Sequence, residues 1–481
     1  MEVSNKKAEN HMTIDWQKLA ASYERDLLTD LKTLIAIPSV RDVEHKTADA
    51  PLGPAPAQAL NAMLEIAQRD GFDTFNVENV AGRISFGQGD TKLGLLGHVD
   101  VVPAGDGWDS DPFVAKIQAG RIYGRGSADD KGPTLAAYYA LRLLKDQGIT
   151  PKQTVQFIIG TDEESNWYGM DRYQATQAMP DYGFSPDAEF PIINGEKGIS
   201  SLTLTFAAQP TSGHTSMTAF DAGLRVNMVP QAATASLTGN LPDDWQAQSD
   251  AYAEANNVKI SYADTADGVQ FTAIGFGAHA LEPNAGINAA THLATLLAPW
   301  VDDPAGHLYL QTITDHLHND SRGHHLDIAF SDAIMGDLTA SADLFTFRPN
   351  GEQTIAINVR YPQGIDLATI QAKMQQALGD AVTVSITEAG HTPHYVSGDD
   401  PLVKTLLQVY QDHTGHDGRE QSIGGGTYGR IMKRGVAFGA MMPGRENVMH
   451  QANEYMPIED IMHAVAIYAD AIYRLTQTEA I

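Results

Sequence analysis

The stretch QTVQFIIGTDEESNW, residues 153–167, holds a largely apolar run that breaks off into three consecutive acids. A short run of this kind that does not alternate is the pattern of a strand covered on both faces, in the middle of a sheet with helices packed against it. Asp162, Glu163 and Glu164 repel one another unless a proton or a cation intervenes. In open α/β sheets, the C-terminal end of a strand is where ligands bind. One segment therefore suggests both a fold class and a place to look for chemistry.

The neighbouring segments fit the same layer. KLGLLGHVD (92–100) is a second buried strand, and FDTFNV (72–77) and RISFG (83–87) are strand-like. FVAKIQAGRIYG (113–124) reads as a hairpin. Apolar residues at helical spacing predict helices over 15–36, stopping before Pro38, and over 56–69. TLAAYYALRLLKDQG (134–148) is a third helix, ending at Gly148. Strands alternating with helices indicate an α/β layer with a mostly parallel or mixed sheet. After residue 196 the character changes. ISSLTLTFAAQ alternates, and short strands, helices and polar loops follow. Near 400 the helical pattern returns in PLVKTLLQVYQDHTG (401–415), followed by the glycine run GGGTYGR (424–430), the strand VAFGAMM and a last helix over 459–476. The expectation is a two-domain α/β chain. Residues 13–196 and 390–481 make a domain from both chain ends, and residues 197–389 make an inserted α+β domain. No internal repeat is visible.

Composition narrows the function classes. The net charge of -28 argues against a nucleic-acid partner, which needs Lys/Arg patches, and against anionic membranes. There are no cysteines, so disulfides, thiolate metal sites and Cys nucleophiles are excluded, and any metal must be held by His, Asp and Glu. MEVSNKKAENHMTIDW has no apolar core like that of a signal peptide. No run approaches the roughly 18 apolar residues of a membrane span. The expected location is the cytoplasm.

Five motifs carry candidate chemistry. In GHVDVVPAGDGW (97–108), His98 and Asp100 follow a strand and point to one side, so Asp100 is placed to hold the second ring nitrogen of a ligand histidine. A purely structural HxD fits this motif equally well. In GRGSADDKGP (124–133), Asp129 and Asp130 open a helix, where negative charge is favourable without any metal, although a carboxylate there also has two oxygens with which to bridge two cations. GTDEESNW supplies the acid cluster. FSPDAEFPIINGEKG (184–198) offers Asp187, and GRENVMHQANEYM (444–456) offers His450; alone, each reads as ordinary loop chemistry. Together they give imidazoles and carboxylates without a thiol, a set that suits zinc, with manganese or cobalt as substitutes. Two metals sharing a carboxylate and a water acidify that water, and a further carboxylate serves as general base. His316, His318, His324 and His325 in DHLHNDSRGHHLD (315–327) have metal-like density but no adjacent acid cluster, and are read as a solvated surface.

GHVDVVPAGDGW, GRGSADDKGP, GTDEESNW, SPDAEFP and GAHALEP, in this order and spacing, resemble the aminoacylase/carboxypeptidase G/succinyl-diaminopimelate desuccinylase family of metallopeptidases, and most closely its peptidase V-type dipeptidases. The likeness covers nearly the whole chain. It implies two zinc ions per chain, one held by His98 and Asp187, the other by Glu164 and His450, with Asp129 bridging. It implies a cis Asp129–Asp130 bond, an orienting role for Asp100, and Glu163 as general base. The inserted domain would be the family's lid, with His279 stabilising the oxyanion. Asn227 and Arg360 match lid positions that bind the substrate's carboxylate end or the oxyanion, and the glycine run with Gly425 and Gly426 would add backbone N–H donors. A large lid of this kind implies a monomer with the histidine supplied in cis. The implied activity is hydrolysis of unblocked dipeptides, β-alanyl dipeptides being within reach. An N-acyl amino acid amidohydrolase or desuccinylase of the same family is the alternative. A non-catalytic binding protein on this scaffold would be expected to have lost a ligand or the base, and this chain keeps them all.

Overall fold

The computed structural model describes residues 14–478. The chain divides into two units. One comprises the described residues through Asn194, Val396–Gln421 and the described residues from Thr427 onward; the other comprises Gly195–Tyr395 and Ser422–Gly426.

The first unit is built on a six-stranded mixed sheet. Its strand order is Asp73–Val77, Ala81–Phe86, Thr154–Gly160, Lys92–His98, Tyr182–Ser185 and Gly435–Ala437. The first two strands and the pair Ala81–Phe86/Thr154–Gly160 run antiparallel; the remaining neighbours are parallel. Both continuous apolar runs become inner strands of this sheet, with Leu93, Leu95, Leu96, Val155, Phe157, Ile158 and Ile159 fully buried. Each such side chain contributes about 1.5–3 kcal/mol by leaving water. Helices Lys131–Asp146 and Ile458–Leu475 pack on one another and share the main core with Glu24–Ile35 and Pro54–Arg69.

The expected helix over 15–36 is in fact two helices, Trp16–Ala21 and Glu24–Ile35. The break is local. Ser22 Oγ donates to the Leu19 carbonyl at 2.7 Å, and the N–H groups of Ser22 and Tyr23 reach back only three residues, to Leu19 and Ala20. A hydroxyl that competes for backbone partners favours such a turn over a continuing helix. The helix expected over 56–69 starts earlier, at Pro54, whose missing N–H costs nothing in a first turn. The hairpin Lys116–Gln118/Arg121–Tyr123 turns through Ala119 (φ 50°) and Gly120 (φ 73°), both left-handed, which matches the twist of the flanking strands.

The second unit is an eight-stranded, wholly antiparallel sheet. Its order is Lys259–Asp264, Val269–Ile274, Ala232–Gly239, Thr215–Ala222, Thr339–Phe347, Gln353–Tyr361, Gly198–Phe206 and Val382–His391. The alternating ISSLTLTF segment turns Leu202, Leu204 and Phe206 into a core shared with helices Ala289–Leu297, Pro304–His316 and Leu367–Leu378. Among the described residues no helix is long and apolar enough to cross a membrane.

Two glycines fix how closely the central parallel strands approach. Gly94 and Gly183 are paired across the sheet, and a Cβ on Gly183 would lie 1.9 Å from the Gly94 carbonyl oxygen. Backbone cannot yield as a side-chain tip can. Gly183→Ala is expected to cost about 3 kcal/mol, read as a lower midpoint for unfolding of this unit in a thermal melt. An unchanged midpoint would refute the tight approach.

Candidate metal centre

The candidate centre lies at the C-terminal ends of three adjacent parallel strands. His98 ends the strand Lys92–His98. Asp162, Glu163 and Glu164 follow Gly160, which is paired with His98, and Asp187 follows Ser185. Asp129 arrives from the loop before helix Lys131–Asp146, across a cis Asp129–Asp130 peptide, and His450 from the loop before Tyr455–Pro457.

Two groups of ligand atoms form. His98, Asp129 and Asp187 make one and Asp129, Glu164 and His450 the other, with the atoms of each group within 4.8 Å of one another. Asp129 serves both. Its Oδ1 is 3.2 Å from His98 Nε2, and its Oδ2 is 2.9 Å from His450 Nε2. Glu164 stands 3.1 Å from His450 Nε2, and Asp187 Oδ2 stands 3.7 Å from His98 Nε2. His98 is wholly buried; the His450 side chain is 54% exposed, on the open side.

The ring orientation of His98 is set by Asp100. Nδ1 lies 3.1 Å from the Asp100 backbone carbonyl and 3.3 Å from its Oδ1. Both are acceptors, so Nδ1 carries the hydrogen and Nε2 presents a lone pair. That buried Nε2 makes no hydrogen bond. A lone pair turned toward two carboxylates is unfavourable unless a proton or a cation lies among them. Asp100 Oδ2 also accepts the Glu164 N–H at 3.1 Å, so one carboxylate positions a member of each group.

The electrostatics point the same way. Loss of hydration, followed by the neighbouring charges of Glu164, Asp129 and Asp100, pushes the Glu163 carboxyl well above its ordinary range. Burial and the charges of Asp129 and Asp130 do the same to Asp187, and burial and Asp129 raise Glu164. Burial opposes ionisation of Asp129, but the close imidazoles of His450 and His98 outweigh it and hold its pKa low. Hydrogen bonds to Asp129 and Glu164 lift His450 to about 10. Six acids, Asp100, Asp129, Asp130, Glu163, Glu164 and Asp187, here face the imidazoles of His98 and His450. This nitrogen and oxygen donor set, with an orphaned imidazole nitrogen at its centre, fits a pair of divalent cations.

The three consecutive acids do not act alike. Asp162 is fully buried and turned to Arg41, whose Nη1 donates to both its oxygens at 2.8 and 2.7 Å; Glu163 and Glu164 remain with the site. Sequence reasoning missed the residue that shapes the Asp129 loop. Glu454, fully buried, accepts N–H groups from Gly126, Ala128 and Asp129 at 3.0, 2.8 and 3.3 Å and pairs with buried Arg125 at 2.6 Å. The only signal was an acid four residues after His450. Asp130, read from the sequence only as an acid opening the helix, is also tied to His98. Its Oδ2 accepts the His98 N–H at 3.1 Å and the Thr134 hydroxyl at 2.7 Å, and burial raises its pKa to about 8.

His279, Asn227, Arg360, Gly425 and Gly426 belong to the second unit. There the Ala280 N–H donates to the Asn227 carbonyl at 2.9 Å, which puts His279 beside Asn227. His279 Nδ1 accepts the Leu281 N–H at 3.0 Å. Arg360 gives Nε to Asn358 Oδ1 at 2.7 Å and Nη1 to the Gly424 carbonyl at 2.9 Å. In the histidine-rich segment, His324 pairs with Asp320, His316 lies against the His325 carbonyl and His318 against Thr291. Among the described residues that segment forms no metal-holding group.

Glu454→Gln tests the loop. Its neutral amide leaves buried Arg125 without a counter-charge and loosens the backbone that carries Asp129. Metal affinity is expected to fall roughly 10–100-fold, measured by competition with a chromophoric chelator. Wild-type affinity would remove Glu454 from this role.

The chain is 43% identical over 469 residues to a "Beta-Ala-Xaa dipeptidase" of Lactobacillus delbrueckii subsp. lactis, covering 97% of this chain and 100% of that one. It is 40% identical over 470 residues to a putative dipeptidase of Bacillus subtilis, covering 96% and 100%. Its fold resembles that of aminoacylhistidine dipeptidase from Vibrio alginolyticus, with a TM-score of 0.56 at 13% identity over 93% and 96% of the two chains. The model of peptidase family M20/M25/M40 matches residues 94–474. With that match over most of its length and relatives of this closeness, the chain belongs to peptidase family M20/M25/M40 and is a metallopeptidase.

Proposed function

We propose that this chain is a dipeptidase that holds two zinc ions and hydrolyses unblocked dipeptides, β-alanyl dipeptides among them. The observation that carries the reading is the Asp129 carboxylate, with one oxygen toward His98 and the other toward His450. The Lactobacillus relative's name supports both the dipeptide and the β-alanyl substrate class.

On this reading His98 and Asp187 hold one ion, Glu164 and His450 the other, and Asp129 both. Bound there, the ions would supply an acidified water and polarise the peptide carbonyl. Glu163 takes the proton from the attacking water and delivers it to the leaving amine, so water is consumed and two amino acids are released. Burial and the neighbouring acids raise its pKa above the ordinary carboxylate range, which makes it a stronger base. His279 has its Nδ1 occupied by the Leu281 N–H, so its Nε2 carries the hydrogen that steadies the developing oxyanion. Arg360, Asn227 and the N–H groups of Gly425 and Gly426 receive the C-terminal carboxylate; a guanidinium fork matches that geometry. The first unit is the catalytic domain and the second unit, Gly195–Tyr395 with Ser422–Gly426, the lid. The enzyme works as a monomer in the cytoplasm.

Glu163→Ala is expected to abolish turnover of an unblocked dipeptide, a loss of at least about 100-fold, while bound metal measured by atomic absorption stays at the wild-type level. Near-wild-type turnover would end the role of Glu163. The substrate class is tested with a free dipeptide and its N-acetylated form, before and after chelation and zinc add-back. Metal-dependent cleavage of the free form alone supports the dipeptidase; cleavage of the acetylated form alone moves the chain to the acylases.

A further inference from the structure

We infer that Leu281 reads the side chain of the substrate's C-terminal residue. The inference rests on the carboxylate and oxyanion roles proposed above for Arg360 and His279, and it deepens them by naming what distinguishes one dipeptide from another.

Leu281 is a large aliphatic residue with 44% of its surface exposed. Its position is fixed on two sides. Its N–H donates to His279 Nδ1 at 3.0 Å, so its backbone is part of the device that orients the imidazole. On the other side it lies against the glycine run: a Cβ built on Gly424 would come within 3.3 Å of Leu281 Cβ and 3.8 Å of its Cα and carbonyl oxygen. Gly424 is in turn the acceptor for Arg360 Nη1 at 2.9 Å. Leu281 therefore lies between the imidazole, held at its N–H, and the segment tied to the guanidinium, which its Cβ faces. Thr339 Oγ1 donates to the carbonyl of Ala280, which holds the preceding residue from the sheet side.

A dipeptide has a short fixed span between its peptide carbonyl and its terminal carboxylate, with a single Cα between them. With the carbonyl oxygen at His279 and the carboxylate at Arg360 and the glycine N–H groups, the side chain on that Cα meets Leu281. An aliphatic wall contributes through apolar contact to Leu, Met or Phe at that position and nothing to Gly. The absence of a side chain at Gly424 lets Leu281 sit this close to the run. The selectivity such a wall provides is of the size found for small changes in apolar pockets, about 10-fold or more.

The experiment compares kcat/KM for alanyl-leucine and alanyl-glycine in wild type, Leu281→Ala, Leu281→Lys and a control, Ile386→Ala, an exposed aliphatic residue on the edge strand Val382–His391. In Leu281→Ala the alanyl-leucine to alanyl-glycine ratio is expected to fall about 10-fold, and in Ile386→Ala to stay at the wild-type value. Leu281→Lys is expected to raise the ratio of alanyl-glutamate to alanyl-leucine. A loss of fold or of metal lowers all substrates together and leaves these ratios alone. Wild type is also given alanyl-leucine amide. If the amide is cleaved as fast as the free acid, the carboxylate reading of the site falls. If the free carboxylate is required and the ratio does not move in Leu281→Ala, the assignment of Leu281 is overturned.

Discussion

The centre depends on a carboxylate that faces two ways. Asp129 offers one oxygen to a buried histidine from a central strand and the other to a histidine from a loop far along the chain. Such an arrangement requires the Asp129 backbone to be held independently, because its carboxylate is committed to the two imidazoles. The anchor is the buried Glu454–Arg125 pair, formed between residues 329 positions apart. A buried ion pair costs several kcal/mol in lost hydration and is retained where its hydrogen bonds are complete. Here one Glu454 oxygen collects three N–H groups from the loop while the other meets Arg125.

A second constraint is the crowding of acids at the ends of parallel strands. Asp100 resolves part of it by serving both groups, through its backbone carbonyl toward His98 and its carboxylate toward the Glu164 N–H. Arg41 resolves another part by removing Asp162 from the cluster. What remains is a set of carboxyls whose pKa values are driven apart, Asp129 down and Glu163, Glu164 and Asp187 up. Perturbation of this kind, in buried carboxyls crowded around two imidazoles, is typical of functional sites.

The inserted unit has a different logic. Its sheet is antiparallel throughout, so each strand needs only one buried face, and the helices supply the cover. Its candidate binding residues sit on a β-bridge between Met228 and His279, on the strand Gln353–Tyr361 and on a glycine run borrowed from residues 422–426, far along the chain. The contact between Gly424 and Leu281 joins the last of these to the first.

Much of this was legible in the sequence because it is periodic or local. Continuous apolar runs announced the inner strands, alternation announced the antiparallel sheet, and the resemblance of five motifs pointed to the family. Residues that act through local chemistry, such as His98 with Asp100, stood out in the same way. The break at Ser22, set by a hydroxyl's choice of partner, was not visible in an apolar pattern that runs straight through it. Nor could the sequence sort Asp162 from Glu163 and Glu164, or assign Glu454 to a loop more than three hundred residues away. Hydrophobic periodicity reports which face of an element leaves water, a property each segment carries by itself. Which buried charge meets which depends on distances between segments, and only the folded chain sets those.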